Sequence, residues 1–296
     1  MLTTDEQLAH YREHGYVAIP CPFSGDDYEH LLRLAVENRD LSNSDGVRVS
    51  RLDPRYTVAD SHERTLRLLE HPTVVAVVEQ IYGSADFRVF VGSWANRTPG
   101  IKPLINWHTD YQEPQRPMGQ RVEISWYLTP SSEENGCLRI VPGSHRVPVT
   151  DTLRELILCG RDQGQHWRSC KTRHPREIAL PLGPDQLLIR DGFIWHCTFE
   201  NKTDEIRYLY VWSYAPLTET IMLVDHELFL PTSIVESPTP LQSRLFALDE
   251  EYRKTLVDRF GEPVRPLSVR LGYERDREWR ASKYYVDGED SRVENL

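Results

Sequence analysis

The feature that most constrains the fold of this chain is a change of periodicity near residue 87. Before it, apolar residues recur at helical spacing in the segments 5–13, 25–38 and 64–82. After it, they stand in short runs rich in β-branched and aromatic residues, which is typical of strands. The runs predict strands at 87–94, 122–128, 138–141, 177–182, 186–189 and 207–214. Helices therefore precede a β core.

Turn and capping residues support these boundaries. Thr4 can cap the first helix, and Gly15 can end it before a first strand at 16–19. Pro72 interrupts the pattern of 64–82, and turn residues such as those at 134–136 separate the strand runs. Many short strands after helices predict a mainly β fold, a jelly-roll-like double sheet with helices packed outside.

The chain is expected to form a single domain over 1–296, since its composition shows no second core. We divide it into a helical part (1–83), a β core (84–216) and a C-terminal extension (217–296) that becomes helical again around 241–260. Residues 146–175 form a polar insertion between strands. Such a long excursion is either a lid or substrate loop, or a decoration of the surface.

Charge and cysteine content narrow the class of partner. The formal net charge is −10 and no Lys/Arg-rich run is present, so nucleic acid is not an expected partner. No run of 18 apolar residues and no signal-peptide core is found, so neither a membrane span nor export is expected. Five cysteines without CxxC spacing suggest neither a disulfide framework nor a zinc knuckle, and we expect a cytoplasmic protein.

His108 and Asp110 are two residues apart, so on an extended strand their side chains project from the same face and can meet one cation. The pattern alone is weak. With 11 histidines and 45 acidic residues in 296, His-x-Asp/Glu should arise about 1.7 times by chance, and it occurs once.

A third ligand candidate, His196, would complete a metal site together with His108 and Asp110. His196 ends the apolar stretch 187–195, where a strand-end histidine can point into a barrel mouth, although a histidine in such a place is also a common core residue. Two histidines and one carboxylate form a facial triad that leaves three iron positions open.

Arg207 follows His196 by 11 residues, which lets the chain return on a neighbouring strand. Its planar fork could bind the distal carboxylate of a 2-oxo acid. A salt bridge to Asp204 or Glu205 is the alternative explanation.

Three motifs in order, WHTD (107–110), ENGCLRIVPGSH (134–145) and DQLLIRDGFIWHCTFENKTDEIRYLYVWSYAP (185–216), resemble the phytanoyl-CoA dioxygenase family of 2-oxoglutarate oxygenases. With the opening LTTDEQLAHYREHGYVAIP, the similarity covers roughly residues 2–216. The resemblance implies a double-stranded β-helix core, with Fe(II), 2-oxoglutarate and O2 as cofactor and cosubstrates.

By position, the resemblance implies that His108, Asp110 and His196 ligate the iron and that Arg207 binds the C5 carboxylate of 2-oxoglutarate. Further residues stand where family members line the cosubstrate pocket, namely Asn96, Trp126 and Thr198. A substrate pocket is expected beside the triad, with Trp107, Tyr111 and Gln112 as lining residues.

Related halogenases carry a small residue where Asp110 stands, so the resemblance implies oxygenation. The expected reaction is hydroxylation of an unactivated C–H bond of a small-molecule metabolite of secondary metabolism, with decarboxylation of 2-oxoglutarate to succinate; desaturation, epoxidation and ring closure remain open. The alternatives are a cupin-like metal enzyme or a ligand-binding β-sandwich that does not use 2-oxoglutarate. We expect a monomer or homodimer.

Overall fold

The computed structural model describes residues 4–37, 59–100, 105–110, 112–113, 116–117, 120–222, 232–258 and 263, with the backbone alone at 59–63, 91–94, 112–113, 116–117, 222, 232–233 and 258. Its helices are α1 (Asp5–His14), α2 (Gly25–Glu37), α3 (Ala59–Leu69), α4 (Pro72–Tyr82), α5 (Val149–Asp162), α6 (Thr232–Glu236), α7 (Pro240–Leu245) and α8 (Glu250–Arg253). None of the helices described is long and apolar enough to cross a membrane.

The strands are β1 (Tyr16–Pro20), β2 (Phe87–Trp94), β3 (Gln112–Glu113), β4 (Arg116–Pro117), β5 (Val122–Tyr127), β6 (Leu138–Ile140), β7 (Ile178–Leu180), β8 (Gln186–Asp191), β9 (His196–Thr198), β10 (Leu209–Pro216), β11 (Ile221–Met222) and β12 (Val257–Asp258). Five of them form an antiparallel sheet in the order β1-β8-β5-β10-β2, and three form an antiparallel sheet in the order β7-β6-β9.

Local capping fixes the N-terminal helices as the sequence predicts. Thr4 and Gln7 form a reciprocal capping box at the start of α1, and Gly15 ends the helix with a φ of 83°. Pro72 begins α4 as a separate helix after α3, because a proline lacks the N–H that a continuing helix needs. Gly83 ends α4 with a φ of 68°.

Two hydrophobic layers hold the fold together. The first lies between the helices and the outer face of the large sheet, where Leu187 and Ile189 of β8 pack. The second lies between the two sheets and joins Leu188 of the large sheet with Leu138 and Ile140 of the small one. Successive strand residues point to opposite faces, so β8 contributes alternately to both layers. The predicted jelly-roll core with flanking helices is confirmed.

The C-terminal extension departs from the sequence prediction. The expected helix at 241–260 is two short helices, α7 and α8, followed by β12. Ala247 has a φ of 54°, which no helix interior allows, and Asp249 then caps α8 by accepting from the Tyr252 N–H. Residues 259–262 and 264–296 lie outside the described part, so a single domain over the whole chain stays a prediction.

Candidate metal centre

The structure brings the three predicted iron ligands together. His108 and His196 face each other across an isolated antiparallel bridge, with N–H to carbonyl distances of 3.0 and 2.9 Å. The Asp110 N–H donates to the Gly192 carbonyl at 3.1 Å, which fixes the end of the same segment. One ligand atom from each of the three side chains lies within 4.8 Å of the others. The three atoms are close enough together to bind one metal ion.

Backbone acceptors orient both imidazole rings. His108 Nδ1 lies 2.7 Å from the Asn106 carbonyl, and His196 Nδ1 lies 3.0 Å from the Ile194 carbonyl. A carbonyl only accepts, so Nδ1 carries the proton in each ring and the Nε2 lone pair is free to ligate. The two Nε2 atoms lie 3.4 and 3.7 Å from the Asp110 carboxylate oxygens.

The electrostatics favour the protonation states that a metal needs. Burial, the Arg190 guanidinium and His108 hold the pKa of His196 well below its ordinary value, which keeps the ring neutral. Burial alone would raise the pKa of Asp110, but Arg190 and the two histidines hold it well below its usual range. Neutral imidazoles and an ionised carboxylate are the ligand forms of a divalent metal.

Arg207 is buried, with 1% of its surface exposed, and lies two residues before β10, where it forms an isolated bridge with Arg97. Its Nη1 donates to the Gly136 carbonyl, its Nη2 donates to the Ala95 carbonyl at 2.8 Å, and its Cζ lies 5.2 Å from the centre of the Tyr127 ring. Two of its five N–H donors are thereby used, and the buried Nε has no partner. Among the described residues no carboxylate pairs with it, so the alternative of a salt bridge to Asp204 or Glu205 is not what the structure shows.

Two of the three predicted cosubstrate-pocket residues lie near these groups. Thr198 follows His196 on the same face of β9, is 4% exposed, and accepts a hydrogen bond from Arg97 at 2.6 Å. Asn96 uses its side-chain oxygen to accept from the Leu209 N–H at 3.2 Å, which ties the end of β2 to β10. Asn96 therefore has a structural role at least, and its pocket role stays a prediction.

Trp126 is not where the sequence reasoning placed it. Its ring packs in the outer layer, 4.7 Å from the Phe23 ring, and its Nε1 donates to the Pro184 carbonyl. The neighbouring Tyr127 belongs to the layer between the sheets instead. Because strand faces alternate with every residue, the predicted pocket residue is one position out of phase.

Trp107 also points away from the triad. It is fully buried in a third cluster, with Cys197 and α5 residues, and its Nε1 donates to the Thr172 carbonyl at 2.9 Å. The same alternation that turns His108 inward turns Trp107 outward, so it does not line a substrate pocket beside the metal. Tyr111 lies outside the described residues, and Gln112 is described only as backbone in β3.

Sequence reasoning missed Arg190. Its Nη2 donates to Asp110 Oδ2 at 2.6 Å, and its side chain is 7% exposed. The available signal was a charged residue at the end of the apolar run QLLIR, since a lone arginine in a buried strand needs an acidic partner.

Two imidazoles and one carboxylate on a jelly-roll core are the ligand set of the facial-triad class of non-haem Fe(II) centres, and these three side chains could hold such a metal. The phytanoyl-CoA dioxygenase (PhyH) family matches residues 11–209, or 199 of 296 residues, and the chain belongs to this family. It thereby falls in the class of Fe(II)- and 2-oxoglutarate-dependent dioxygenases.

Individual relatives match only part of this chain, at modest sequence identity. Dioxygenase andF of Emericella variicolor is 26% identical over 188 residues, which are 60% of this chain and 58% of the relative. Ectoine dioxygenase of Bordetella bronchiseptica is 38% identical over 135 residues, 43% of this chain and 40% of the relative. The chain thus matches about half the length of these two proteins.

The crystal structure of SnoK, a non-haem alpha-ketoglutarate-dependent carbocyclase from nogalamycin biosynthesis, has the same fold. The TM-score is 0.53 at 21% identity, and the match covers 72% of this chain and 83% of SnoK.

Proposed function

We propose that this protein oxidises an unactivated C–H bond of a small-molecule metabolite, most simply by hydroxylation, while 2-oxoglutarate is decarboxylated to succinate. His108, Asp110 and His196 hold Fe(II), and Arg207 binds the distal carboxylate of 2-oxoglutarate. The observation that carries the proposal is the buried Arg207 guanidinium, which has donors to spare and no acidic partner among the described residues.

Arg207 is what separates this proposal from its alternatives. A buried cation without a counter-ion is costly, so its site favours binding an anion. A cupin-like metal enzyme that uses no 2-oxo acid, or a ligand-binding β-sandwich, has no need of a second, cationic subsite behind the metal. A dicarboxylate cosubstrate needs both a metal at one end and a guanidinium at the other.

The proposed iron ligands and Arg207 have separate roles in this reaction. Bound Fe(II) and 2-oxoglutarate supply the oxidising power by activating O2. His108 and His196 donate neutral nitrogen ligands, and Asp110 adds one negative charge. Arg207 orients the cosubstrate, and the apolar layer between the sheets excludes water from the space around it.

The substrate is proposed only as a class. One relative carries ectoine in its name and a structural neighbour is a carbocyclase from nogalamycin biosynthesis, which supports a small metabolite of secondary metabolism. Asp110 supports oxygenation rather than halogenation. All five cysteines are free thiols, in line with the proposed cytoplasmic location; a monomer or homodimer stays a prediction.

The test uses anaerobic protein with Fe(II) and 2-oxoglutarate. We expect the weak visible charge-transfer band of a chelated 2-oxo acid, and iron-dependent succinate release once air is admitted. His108→Ala or Asp110→Ala should lose succinate release, because each leaves only two ligands. Arg154→Ala, which changes an exposed side chain on α5, is the matched control and should behave as wild type. A wild-type protein with neither band nor succinate would rule the proposal out.

A further inference from the structure

Arg190 occupies an inward position near the end of β8, an interior strand of the large sheet. It lies on β8 between Tyr16 of β1 and Glu123 of β5, and it shares the face of Leu188, which packs between the two sheets. A charged residue at such a position is buried against the metal centre rather than solvated.

The contacts of Arg190 are made to one particular oxygen of the triad. Its Nη2 lies 2.6 Å from Asp110 Oδ2 and 3.8 Å from Glu123 Oε2. The other carboxylate oxygen, Asp110 Oδ1, faces His108 Nε2 at 3.4 Å. Each oxygen of Asp110 has one imidazole nitrogen nearby, since Oδ2 lies 3.7 Å from His196 Nε2. The two oxygens differ in that Arg190 donates to Oδ2.

This asymmetry matters for coordination chemistry. A carboxylate can hold a metal through one oxygen or chelate it through both. With two histidines, a one-oxygen carboxylate leaves three of six positions open, whereas a chelating carboxylate leaves two. A 2-oxo acid takes two positions and O2 needs a third, so chelation by Asp110 would block turnover.

We propose that Arg190 is a positioning residue that ties up Asp110 Oδ2 and so restricts Asp110 to one-oxygen ligation, which keeps the third open position available. The inference rests on the proposed function, since it concerns the same Fe(II) site. A short charge-assisted hydrogen bond between buried groups is strong enough to hold such a rotamer.

The experiment compares Arg190→Met and Arg190→Lys with wild type by anaerobic titration of the Fe(II)-loaded protein with 2-oxoglutarate. In Arg190→Met, Asp110 Oδ2 is free to compete for any open position beside Oδ1, including those that the two oxygens of 2-oxoglutarate need, so we expect the affinity for 2-oxoglutarate to fall about 10- to 100-fold and the visible band to shift. Arg190→Lys should restore both in part, because the ammonium group can donate one bond to Oδ2.

Arg88→Met is the matched control. Arg88 is equally buried, but it donates to Tyr252 and to the carbonyls of Glu219 and Ile221, on the C-terminal extension. Loss of the Arg88 guanidinium should lower the melting temperature of the protein and leave the visible charge-transfer band of bound 2-oxoglutarate unchanged.

A folded Arg190→Met protein with the wild-type band and the wild-type affinity for 2-oxoglutarate would overturn the inference, even if its melting temperature fell. Should Arg190→Met not fold, Arg190→Gln is measured in the same way, since its side chain is polar but too short for the same contact, and wild-type values there are equally decisive. A wild-type protein without any band would instead remove the proposed function, and this inference with it.

Discussion

Replacing Arg207 with methionine tests the assignment of the cosubstrate subsite. Methionine keeps much of the volume of the side chain and removes the guanidinium, whose fork is held by the Gly136 and Ala95 carbonyls. Three of its five N–H donors remain for a ligand. Two charge-assisted hydrogen bonds to a distal carboxylate, in a site that is 1% exposed, are worth about 3 to 4 kcal/mol together.

That free energy corresponds to a loss of roughly 10²- to 10³-fold in affinity for 2-oxoglutarate. The assay is titration of the anaerobic Fe(II) protein, followed by the visible band. 2-Oxopentanoate provides the internal comparison, since it retains the 2-oxo acid that chelates the metal and lacks the distal carboxylate. Wild type should prefer 2-oxoglutarate over 2-oxopentanoate by about the same factor, and Arg207→Met should bind the two acids equally.

Thermal unfolding gives a second measurement that does not depend on the band. At a 2-oxoglutarate concentration of about 100 times its Kd, the metal-loaded wild type should gain about 2.7 kcal/mol, and Arg207→Met should gain little at that concentration. Arg88→Met again controls for the loss of a buried arginine. If Arg207→Met still discriminates between the two acids as wild type does, the distal carboxylate binds elsewhere and the reasoning is refuted.

Two further predictions concern the insertion. Arg139→Met should destabilise the protein by about 1 to 3 kcal/mol, because the Cys170 and Thr172 carbonyls lose their donor and Glu177 loses one of its two arginine partners, Arg173 being the other. The exposed Arg154→Ala should cost under about 0.5 kcal/mol, and both are measured by urea unfolding. Burial lowers the pKa of His174, so its protonation opposes folding. The stability of wild type relative to His174→Gln should therefore fall as the pH drops below about 6.5, by at most ~1.4 kcal/mol per pH unit, and a flat difference would contradict this.

The parts of the fold that the sequence predicted well are those with local causes. Thr4, Gly15 and Gly83 mark helix ends through contacts within one turn, and the strand at 87–94 has the predicted bounds. The last predicted strand is displaced, from 207–214 to Leu209–Pro216. Arg207 makes only an isolated bridge to Arg97 there, so the residue with the strongest chemical signal stands just outside the ladder.

Which way a side chain faces was harder to predict. Every residue of β5 is buried, because helices cover one face of the sheet and the second sheet covers the other. In such a strand the hydrophobic pattern does not indicate which residues face the helices and which face the second sheet. Trp126 was therefore assigned to the site although Tyr127 faces inward, and the pair Trp107 and His108 shows the same alternation beside the metal ligands.

The insertion could not be interpreted from sequence because its contacts are distant along the chain. The segment that holds His108 is bonded to β9 on one side, through the His108–His196 bridge and the Thr198 N–H to the Ile105 carbonyl at 3.1 Å, and it needs support on the other side. The insertion provides it: the Trp107 N–H donates to the Arg168 carbonyl at 2.8 Å, and the Cys170 N–H donates to Asn106 Oδ1 at 3.2 Å. A segment so bonded is more than a surface decoration, since moving it would move the segment that carries His108 and Asp110, two of the three proposed iron ligands.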